Sequence, residues 1–134
     1  MFKTARRVEF GDTDMAGIVH FANFFRYMEV AETDFLMSLG TNVSFVADGT
    51  RFGFPRVSAA CEYKSPARFG DLLTIAVAVE KVGTKSLSYR FEFTRDGAEI
   101  AVGRVTSVFC EKAATGMISR EIPPDIRAKL QAAT

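Results

Sequence analysis

Hydrophobic positions near the start of the chain alternate with polar ones and then change to a helical period. Val8 and Phe10 alternate with charged neighbours, which predicts a strand over residues 2–10. Farther along, apolar side chains recur every three or four residues, at Phe24, Met28, Ala31, Phe35 and Leu39. This stripe predicts a helix of about seventeen residues.

Residues typical of helix starts and helix ends flank the predicted helix, and further apolar residues lie beside its stripe. Asn23, or a residue just before it, is placed to cap the start, and Gly40 stands where helices commonly end. Tyr27, Val30 and Leu36 widen the apolar stripe. A band this wide indicates a helix that is buried on most sides.

In the second half of the chain the hydrophobic period falls to two, which predicts strands. The alternating segments are residues 57–64, 72–82, 85–95 and 98–112. Asp96-Gly97 joins the last two segments as a typical hairpin turn. Residues 41–53 are predicted to be a loop, and the prolines at 123 and 124 favour the start of a short C-terminal helix.

These elements predict one α+β domain over residues 1–134, made of a strand, a long buried helix and four antiparallel strands. One face of the five-stranded sheet covers the helix, and the opposite, mixed face is either solvated or paired in a dimer. The balance of 48% hydrophobic and 25% charged residues is that of an ordinary globular protein. Thirteen phenylalanines and no tryptophan indicate a core or pocket built on phenylalanine.

Charge, apolar run length and cysteine content exclude several classes of protein. A net charge of +1 gives no support for nucleic-acid binding, which needs a basic excess on one face. No apolar run reaches the length of a membrane span, and the first ten residues lack the apolar core of a secretory signal. Cys61 and Cys110 have neither disulfide nor metal-ligand spacing. We therefore expect a cytoplasmic protein without a metal site.

The segment between the first strand and the helix carries the candidate chemistry. It reads Phe10-Gly11-Asp12-Thr13-Asp14-Met15-Ala16-Gly17, followed by Ile18-Val19-His20-Phe21-Ala22-Asn23-Phe24. Taken alone, an aspartate in such a glycine-rich turn is usually a turn former. A longer pattern is needed before Asp12 or Asp14 is assigned to catalysis.

The longer pattern resembles the 4-hydroxybenzoyl-CoA thioesterase branch of the hotdog-fold superfamily and its relatives linked to the Tol–Pal system. The shared elements are an aromatic residue, an acidic residue, an aspartate, a glycine, two aliphatic residues, an aromatic residue or histidine, and an asparagine before the helix. Residues 66–73 are similar to the turn that precedes the long strands of the family. The resemblance implies a long central helix wrapped by a curved antiparallel sheet of about five strands. It also implies hydrolysis of an acyl-CoA thioester with no metal and no redox cofactor.

By this resemblance Asp14 is the catalytic carboxylate, acting as a nucleophile or as a general base on water. A thioester carbonyl is electrophilic and its thiolate leaves readily, so one positioned carboxylate suffices. Gly53 matches the glycine whose backbone N–H stabilises the developing oxyanion. A nearby helix start favours the ionised form of Asp14, while the like charge of Asp12 opposes it.

The resemblance assigns four more residues to substrate binding. His20 and Phe21 are expected to line the acyl pocket, and Asn23 is either a helix cap or a substrate ligand. Lys85 matches a basic turn that holds the phosphates of CoA, with Arg68 and Arg104 as less specific candidates. Phe21 stands where an aromatic hydroxyl is common in the family, which argues against 4-hydroxybenzoyl-CoA as the substrate.

For three other carboxylates, a structural role is an alternative to a functional one. Glu29 and Glu32 lie on the predicted helix, where other branches of the superfamily carry a glutamate base. Most helix glutamates are simply solvated, and a contact across a dimer is the main alternative. Asp12 is expected to be structural.

Two other functions stay open, and the assembly follows from the resemblance. A dehydratase or hydratase pairs a histidine with an acid, and His20 is the only histidine. A non-catalytic module that binds acyl groups or CoA has no use for Asp14. The family joins sheet edges into dimers, often paired into tetramers, so we expect at least a homodimer and, more specifically, a homotetramer with interfacial sites. The acyl group is aromatic or fatty.

Overall fold

The computed structural model describes all residues of the chain, 1–134, and contains two antiparallel sheets and two helices. The N-terminal elements are β1 (Phe2–Arg7), a 3-10 turn (Phe10–Asp12), α1 (Asn23–Ser38), β2 (Ser44–Ala47), β3 (Thr50–Gly53) and β4 (Arg56–Tyr63). The remaining elements are β5 (Leu72–Val82), β6 (Ser86–Arg95), β7 (Ala98–Val108), β8 (Cys110–Ala113), β9 (Gly116–Ser119) and α2 (Pro124–Ala132). The predicted α+β class is confirmed.

The larger sheet has five strands in the order β1-β5-β6-β7-β4, and all neighbouring pairs are antiparallel. Side chains on one face of β5 and β6 alternate as the sequence predicts and are buried, at Leu73, Ile75, Val77, Leu87, Tyr89, Phe91 and Phe93. This face packs against α1. The strands at the two free edges of the sheet are β1 and β4.

A second sheet, in the order β2-β3-β8-β9, corrects two predictions. Residues 41–53, predicted to be a loop, contain the hairpin β2–β3, whose turn places Asp48 and Gly49 at φ of 51° and 77°. The predicted strand over residues 98–112 ends at Val108 and resumes as β8 in the second sheet. The short strands hold together because Phe45 and Phe52 stack on Phe109, with ring centroids 6.1 and 5.5 Å away.

Helix α1 ends as predicted but begins differently. At its C-terminus Gly40 adopts φ of 82°, and the N–H of Thr41 donates to the carbonyl of Leu36 at 3.0 Å, which closes the helix. At its N-terminus no side chain caps the helix. The capping role of Asn23 is therefore wrong, because its side-chain amide donates to the carbonyl of Asp12 at 2.8 Å instead.

Only one side of α1 is buried in the chain. Its buried face carries Phe24, Tyr27, Met28, Ala31, Glu32, Phe35 and Leu36. Val30 and Met37 on the opposite side are 44% and 59% exposed, so the prediction of burial on most sides is wrong. The reason is that a single sheet covers the helix from one direction. Neither helix combines the length and apolar character needed to cross a lipid bilayer.

Gly103 in β7 lets the helix approach the sheet, and this contact gives a test of the packing. A Cβ at position 103 would lie 2.3 Å from Cε and 2.5 Å from Sδ of Met28, which is 1% exposed. We expect Gly103→Ala to lower the free energy of unfolding by about 1 kcal/mol, because the thioether end of Met28 must move in a packed core but is flexible. Urea denaturation measures the change.

Gly11→Ala is the matched control for this substitution. A Cβ at Gly11 has no atom within 4 Å, and its φ lies outside the left-handed region. We expect it to leave stability unchanged or to raise it by about 0.4–1 kcal/mol through the unfolded chain. Equal effects of the two substitutions would contradict the close approach of α1 to β7.

Candidate active site

The turn between β1 and α1 is built around the backbone and carboxylate of Asp14. Its N–H donates to the carbonyl of Ile18 at 2.9 Å, and its carbonyl accepts from Gly17 at 3.0 Å. Gly17 has φ of 80°, a conformation that glycine adopts without strain. The carboxylate oxygen Oδ1 accepts from the N–H of Ala16 at 2.8 Å, and Oδ2 has no partner in the chain. Asp14 is thus both a turn former and a half-buried carboxylate with one free oxygen.

Asp12 has a different role, because it ties this turn to α1. Its carbonyl accepts from the N–H of His20 at 2.9 Å and from the Asn23 side chain. Its carboxylate accepts from the N–H of Glu9 at 2.9 Å and from the hydroxyl of Tyr27 at 2.8 Å. Burial, reinforced by the bond to Asp12, raises the pKa of Tyr27 well above its ordinary value. The hydroxyl therefore stays protonated and keeps donating.

A cavity of about 530 Å³ opens beside Asp14, between the turn, the start of α1 and the end of β4. Phe21, Phe24 and Tyr63 form its aromatic walls, and the segment after β4 completes the lining. The hydroxyl of Tyr63 donates to the carbonyl of Phe21 at 2.9 Å, which fixes the mouth of the cavity. Asp14 is the only acidic residue of the lining. A carboxylate with a free oxygen thus faces a mainly apolar, aromatic space. The one cation of the lining, Lys64, pairs with Glu62 at 3.1 Å.

The predicted binding residues near the helix start are divided between this cavity and its surroundings. Phe21 lines the cavity and is 63% exposed. His20 does not line it, and its ring stacks on Phe21 with centroids 4.7 Å apart. The Nδ1 atom of His20 accepts from the N–H of Ala22 at 3.2 Å, so this nitrogen is occupied. Asn23 faces Asp12 and likewise lies outside the lining.

Gly53 and Lys85 lie away from Asp14 within one chain. Gly53 is the last residue of β3 and lines a separate cavity of about 300 Å³. Lys85 lies between β5 and β6, and its Nζ contacts the hydroxyl of Ser119 at 3.4 Å. Of the predicted site residues, the structure brings together Asp14 and Phe21.

The two helix glutamates have different environments. Glu29 is exposed, whereas Glu32 is 2% exposed and forms an ion pair with Arg56 at the start of β4. Burial raises the pKa of Glu32 above its ordinary value, although the Arg56 guanidinium opposes the shift. Its second oxygen, Oε2, has no partner. Glu32 is therefore an interior ion pair rather than a solvated side chain.

The sequence did not identify Tyr63, Arg56 or the bond between Asp12 and Tyr27. Tyr63 lies on the same face of β4 as Cys61. The period of two along the strand predicts which face the side chain occupies, but not that its hydroxyl bonds to Phe21, 42 residues away. Of the less specific phosphate candidates, Arg104 pairs with Glu80 at 3.3 Å. Arg68 lies in the turn before β5, where its N–H donates to Asp71 at 2.8 Å.

The fold and this site together define the class of protein. Residues 8–130 match the thioesterase-like superfamily, so the chain belongs to that family. Within it, the chain is 29% identical over 125 residues to a 1,4-dihydroxy-2-naphthoyl-CoA hydrolase of Nostoc punctiforme, covering 93% of this chain and 83% of the relative.

Two further comparisons point to the same chemistry. A 4-hydroxybenzoyl-CoA thioesterase of a Pseudomonas species is 32% identical over 92 residues, which are 67% of this chain and 65% of that protein. The structure of a gentisyl-coenzyme A thioesterase superposes with a TM-score of 0.81 at 30% identity, covering 96% of this chain and 99% of that one. The relatives are hydrolases of CoA thioesters, which supports the activity that the sequence pattern predicts.

The buried Glu32 gives a testable pH dependence of stability. Its pKa is raised above 4.5 on folding, so the folded state holds the proton more tightly than the unfolded state. The contribution of Glu32 to stability is therefore largest below about pH 4.5 and is lost as the pH rises through the raised folded value. We expect the stability of the wild type relative to Glu32→Gln to fall from acid to neutral pH in urea denaturation.

Glu29→Gln reports the effect of removing an exposed carboxylate from the same helix. Parallel pH profiles of the wild type and Glu32→Gln would show that Glu32 does not titrate differently in the folded state. That result would contradict its burial as a carboxylate.

Proposed function

We propose that the protein hydrolyses an acyl-CoA thioester, with Asp14 as the catalytic carboxylate. The observation that carries the proposal is the free oxygen of Asp14 at the edge of an aromatic cavity in which it is the only acid. This function suits the family to which the chain belongs. The hotdog arrangement belongs to the same proposal, with α1 as the central helix and the larger sheet curved around it.

The proposed reaction needs one carboxylate and one group of N–H donors. Asp14 either attacks the thioester carbonyl carbon or takes a proton from a water molecule that attacks it. A C–O bond forms and the C–S bond breaks. The thiolate of CoA leaves. In the general-base route, the proton that Asp14 takes from water neutralises this thiolate. In the nucleophilic route, a water molecule then hydrolyses the acyl anhydride formed on Asp14, which releases the acid, regenerates the carboxylate and supplies the proton for the thiolate. The turn holds Asp14 by three hydrogen bonds, so the carboxylate is positioned before the substrate arrives.

The negative charge that develops on the thioester carbonyl oxygen requires N–H donors that have no other acceptor. The N–H of Phe21 has no acceptor in the chain, and it lies just before α1 beside the cavity. Free N–H groups at a helix start favour negative charge, so Phe21 is a suitable donor. Gly53 remains a predicted second donor, and within one chain it belongs to another cavity. Its participation therefore requires a second copy of the protein.

The free edge of β4 supports such a dimer. Its residues are exposed on both faces except at Cys61, and its middle, from Val57 to Cys61, is uncharged. The other free edge, β1, carries Lys3, Arg6 and Arg7, which oppose pairing. We propose that β4 pairs with its own copy in a homodimer. Pairing of two such dimers gives the predicted tetramer.

Two-fold pairing of β4 would bring the separated residues together. A strand that pairs with its own copy runs antiparallel to it, so the Arg56 end of one strand meets the Tyr63 end of the other. Gly53 precedes Arg56 by two residues of loop, and Tyr63 lines the Asp14 cavity. The partner subunit's Gly53 would then approach Asp14.

An aromatic acyl group is the proposed substrate class. Phe21, Phe24 and Tyr63 offer aromatic surfaces for stacking against a planar ring. The relatives named above act, by their names, on dihydroxynaphthoyl, hydroxybenzoyl and gentisyl thioesters. The hydratase alternative is less suited to this site, because the only histidine lies outside the cavity with Nδ1 occupied. We place the activity in the cytoplasm, where thiols such as Cys61 and Cys110 stay reduced.

Asp14→Asn tests the catalytic assignment. Asparagine keeps an oxygen that accepts from the N–H of Ala16, so the fold is retained. Its amide can neither attack the thioester nor accept a proton from water. We expect turnover to fall by about a hundred- to ten-thousand-fold, with little change in the binding of CoA esters. Thiol release from aromatic, short-chain and long-chain acyl-CoAs measures this, and the aromatic esters should be hydrolysed fastest.

Asp96→Asn is the matched control, because Asp96 is exposed in a hairpin turn at φ of 49°, which asparagine also accepts. Full activity in Asp14→Asn would exclude Asp14 as the catalytic group. If the wild type binds acyl-CoA esters but hydrolyses none of them, the non-catalytic binding module becomes the better description.

Ala60→Lys tests the assembly at the β4 edge. Ala60 is exposed in the middle of this strand, and a lysine there would face its own copy across the two-fold axis. We expect the variant to be monomeric by light scattering and to lose activity with the dimer. Ala5→Lys places the same charge on the β1 edge and should remain dimeric and active. A monomeric wild type with full turnover would overturn the interfacial site.

A further inference from the structure

A β-bulge at Val57 turns the side chain of Arg56 towards helix α1. In the pairing of β4 with β7, Arg56 lies opposite Ser107, although strict alternation would place Val57 there. Val57 is the extra residue of the bulge and is 64% exposed. Residues directly opposite each other share a face of the sheet, and Ser107 is buried on the face that packs against α1. Without the bulge, the guanidinium would lie on the other face of the sheet.

Glu32 holds Arg56 in this orientation. The two side chains form an ion pair in which Glu32 is buried, whereas the Arg56 side chain is 34% exposed. One Nη atom of Arg56 serves this pair, and the guanidinium makes no other hydrogen bond in the chain. Arg56 is therefore fixed by a buried partner and still offers N–H groups to a ligand.

Stability alone does not explain this ion pair. Replacing a buried ion pair by apolar residues of similar volume is often neutral or stabilising, because the charges lose their hydration. In addition, Oε2 of Glu32 has no hydrogen-bond partner. A pair that is imperfectly satisfied and still holds one member at the surface indicates a task for that member, Arg56.

The guanidinium of Arg56 lies at a cavity of about 170 Å³ between α1 and the edge strand β4. Arg56 is the only cation of its lining, which also contains Glu29 and Glu32. The other lining residues are apolar: Phe25, Met28, Ala59, Phe91 and Val105. A cavity of roughly 150 Å³ admits a benzene ring, so this one can hold the far end of an aromatic acyl group.

Two-fold pairing of β4 would join this cavity to the Asp14 cavity of the partner subunit. Ala59 and Tyr63 are four residues apart on β4, so they lie on the same face of the strand, and each lines one of the two cavities. Antiparallel pairing brings the Arg56 end of one strand beside the Tyr63 end of the other. An acyl group whose thioester lies at the partner subunit's Asp14 would then extend towards Arg56.

We propose that Arg56 is a specificity-determining residue, positioned by Glu32, that donates a hydrogen bond to a neutral polar substituent at the far end of the acyl group. This inference rests on the proposed thioesterase function and on the β4 dimer. It gives the bulge, the buried ion pair and the cavity at the sheet edge one common role.

The charges around Arg56 favour a neutral substituent, such as a phenolic hydroxyl. Glu32 balances the charge of Arg56, and Glu29 lines the same cavity, which disfavours a carboxylate on the acyl group. In the Asp14 cavity, Phe21 has no hydroxyl, and the hydroxyl of Tyr63 already donates to a backbone carbonyl. Arg56 therefore supplies the donor that a hydroxylated ring needs.

The double variant Glu32→Met/Arg56→Met tests this role, because removing both partners leaves no unpaired charge in the interior. Thiol release gives kcat/KM for benzoyl-CoA, 3-hydroxybenzoyl-CoA and 4-hydroxybenzoyl-CoA. We expect the wild type to prefer at least one hydroxylated ester over benzoyl-CoA by about tenfold or more, as for a hydrogen bond to a charged group. In the double variant the preference should fall below about threefold, through lost activity on the hydroxylated ester.

Two single variants separate the orientation of Arg56 from packing. Glu32→Gln keeps an oxygen that accepts from Arg56 and should retain the preference, whereas Glu32→Leu should lose it although Arg56 is still present. Arg90→Met/Glu92→Met is the matched control, since it removes another arginine–glutamate pair whose arginine is about as exposed as Arg56. The control should show the preference of the wild type.

Equal preferences in the wild type and in Glu32→Met/Arg56→Met would overturn the role of Arg56. A wild type that does not distinguish the three esters would overturn it as well. If the wild type hydrolyses none of them, the proposed function fails instead. In that case, calorimetric titration with the same three esters still decides the inference, and equal Kd values for the wild type and the double variant would exclude it.

Discussion

The hydrogen bonds of Asp12 to the start of helix α1 hold the candidate site in place. Its carbonyl and carboxylate accept from His20, Asn23, Glu9 and Tyr27, which closes the turn on the helix. Two carboxylates two residues apart thereby acquire different roles. The carbonyl and carboxylate oxygens of Asp12 accept hydrogen bonds that hold the fold together, whereas Asp14 keeps one carboxylate oxygen free towards a mainly apolar cavity. The same turn that satisfies the backbone hydrogen bonds also presents the proposed catalytic carboxylate.

Long elements were predictable from the sequence because repetition makes their period visible. Helix α1 repeats its apolar stripe over four turns, and β5, β6 and β7 each alternate over ten or eleven residues. The second sheet was missed because its strands have four residues each, too few to establish a period. Its stability comes from Phe45, Phe52 and Phe109, whose stacking joins segments more than fifty residues apart.

The site was predictable where its chemistry is local and not where it depends on contacts distant in sequence. Asp14 and Phe21 belong to one continuous motif, and the structure places them at one cavity. Tyr63 and the Arg56–Glu32 pair join elements that are 42 and 24 residues apart. A signal for Glu32 did exist, since it follows Met28 by four residues and precedes Phe35 by three, within the buried stripe. Most glutamates on helices are solvated, so this position alone does not identify a buried one.

The cavity beside Asp14 and the cavity beside Gly53 lie apart within one chain. The Asp14 cavity lies at the Tyr63 end of β4, and the Gly53 cavity lies at its Arg56 end. In the proposed dimer, antiparallel pairing of β4 with its own copy would set each Asp14 cavity beside the partner subunit's Gly53. The uncharged middle of that edge strand is therefore as much a part of the proposed site as the carboxylate itself.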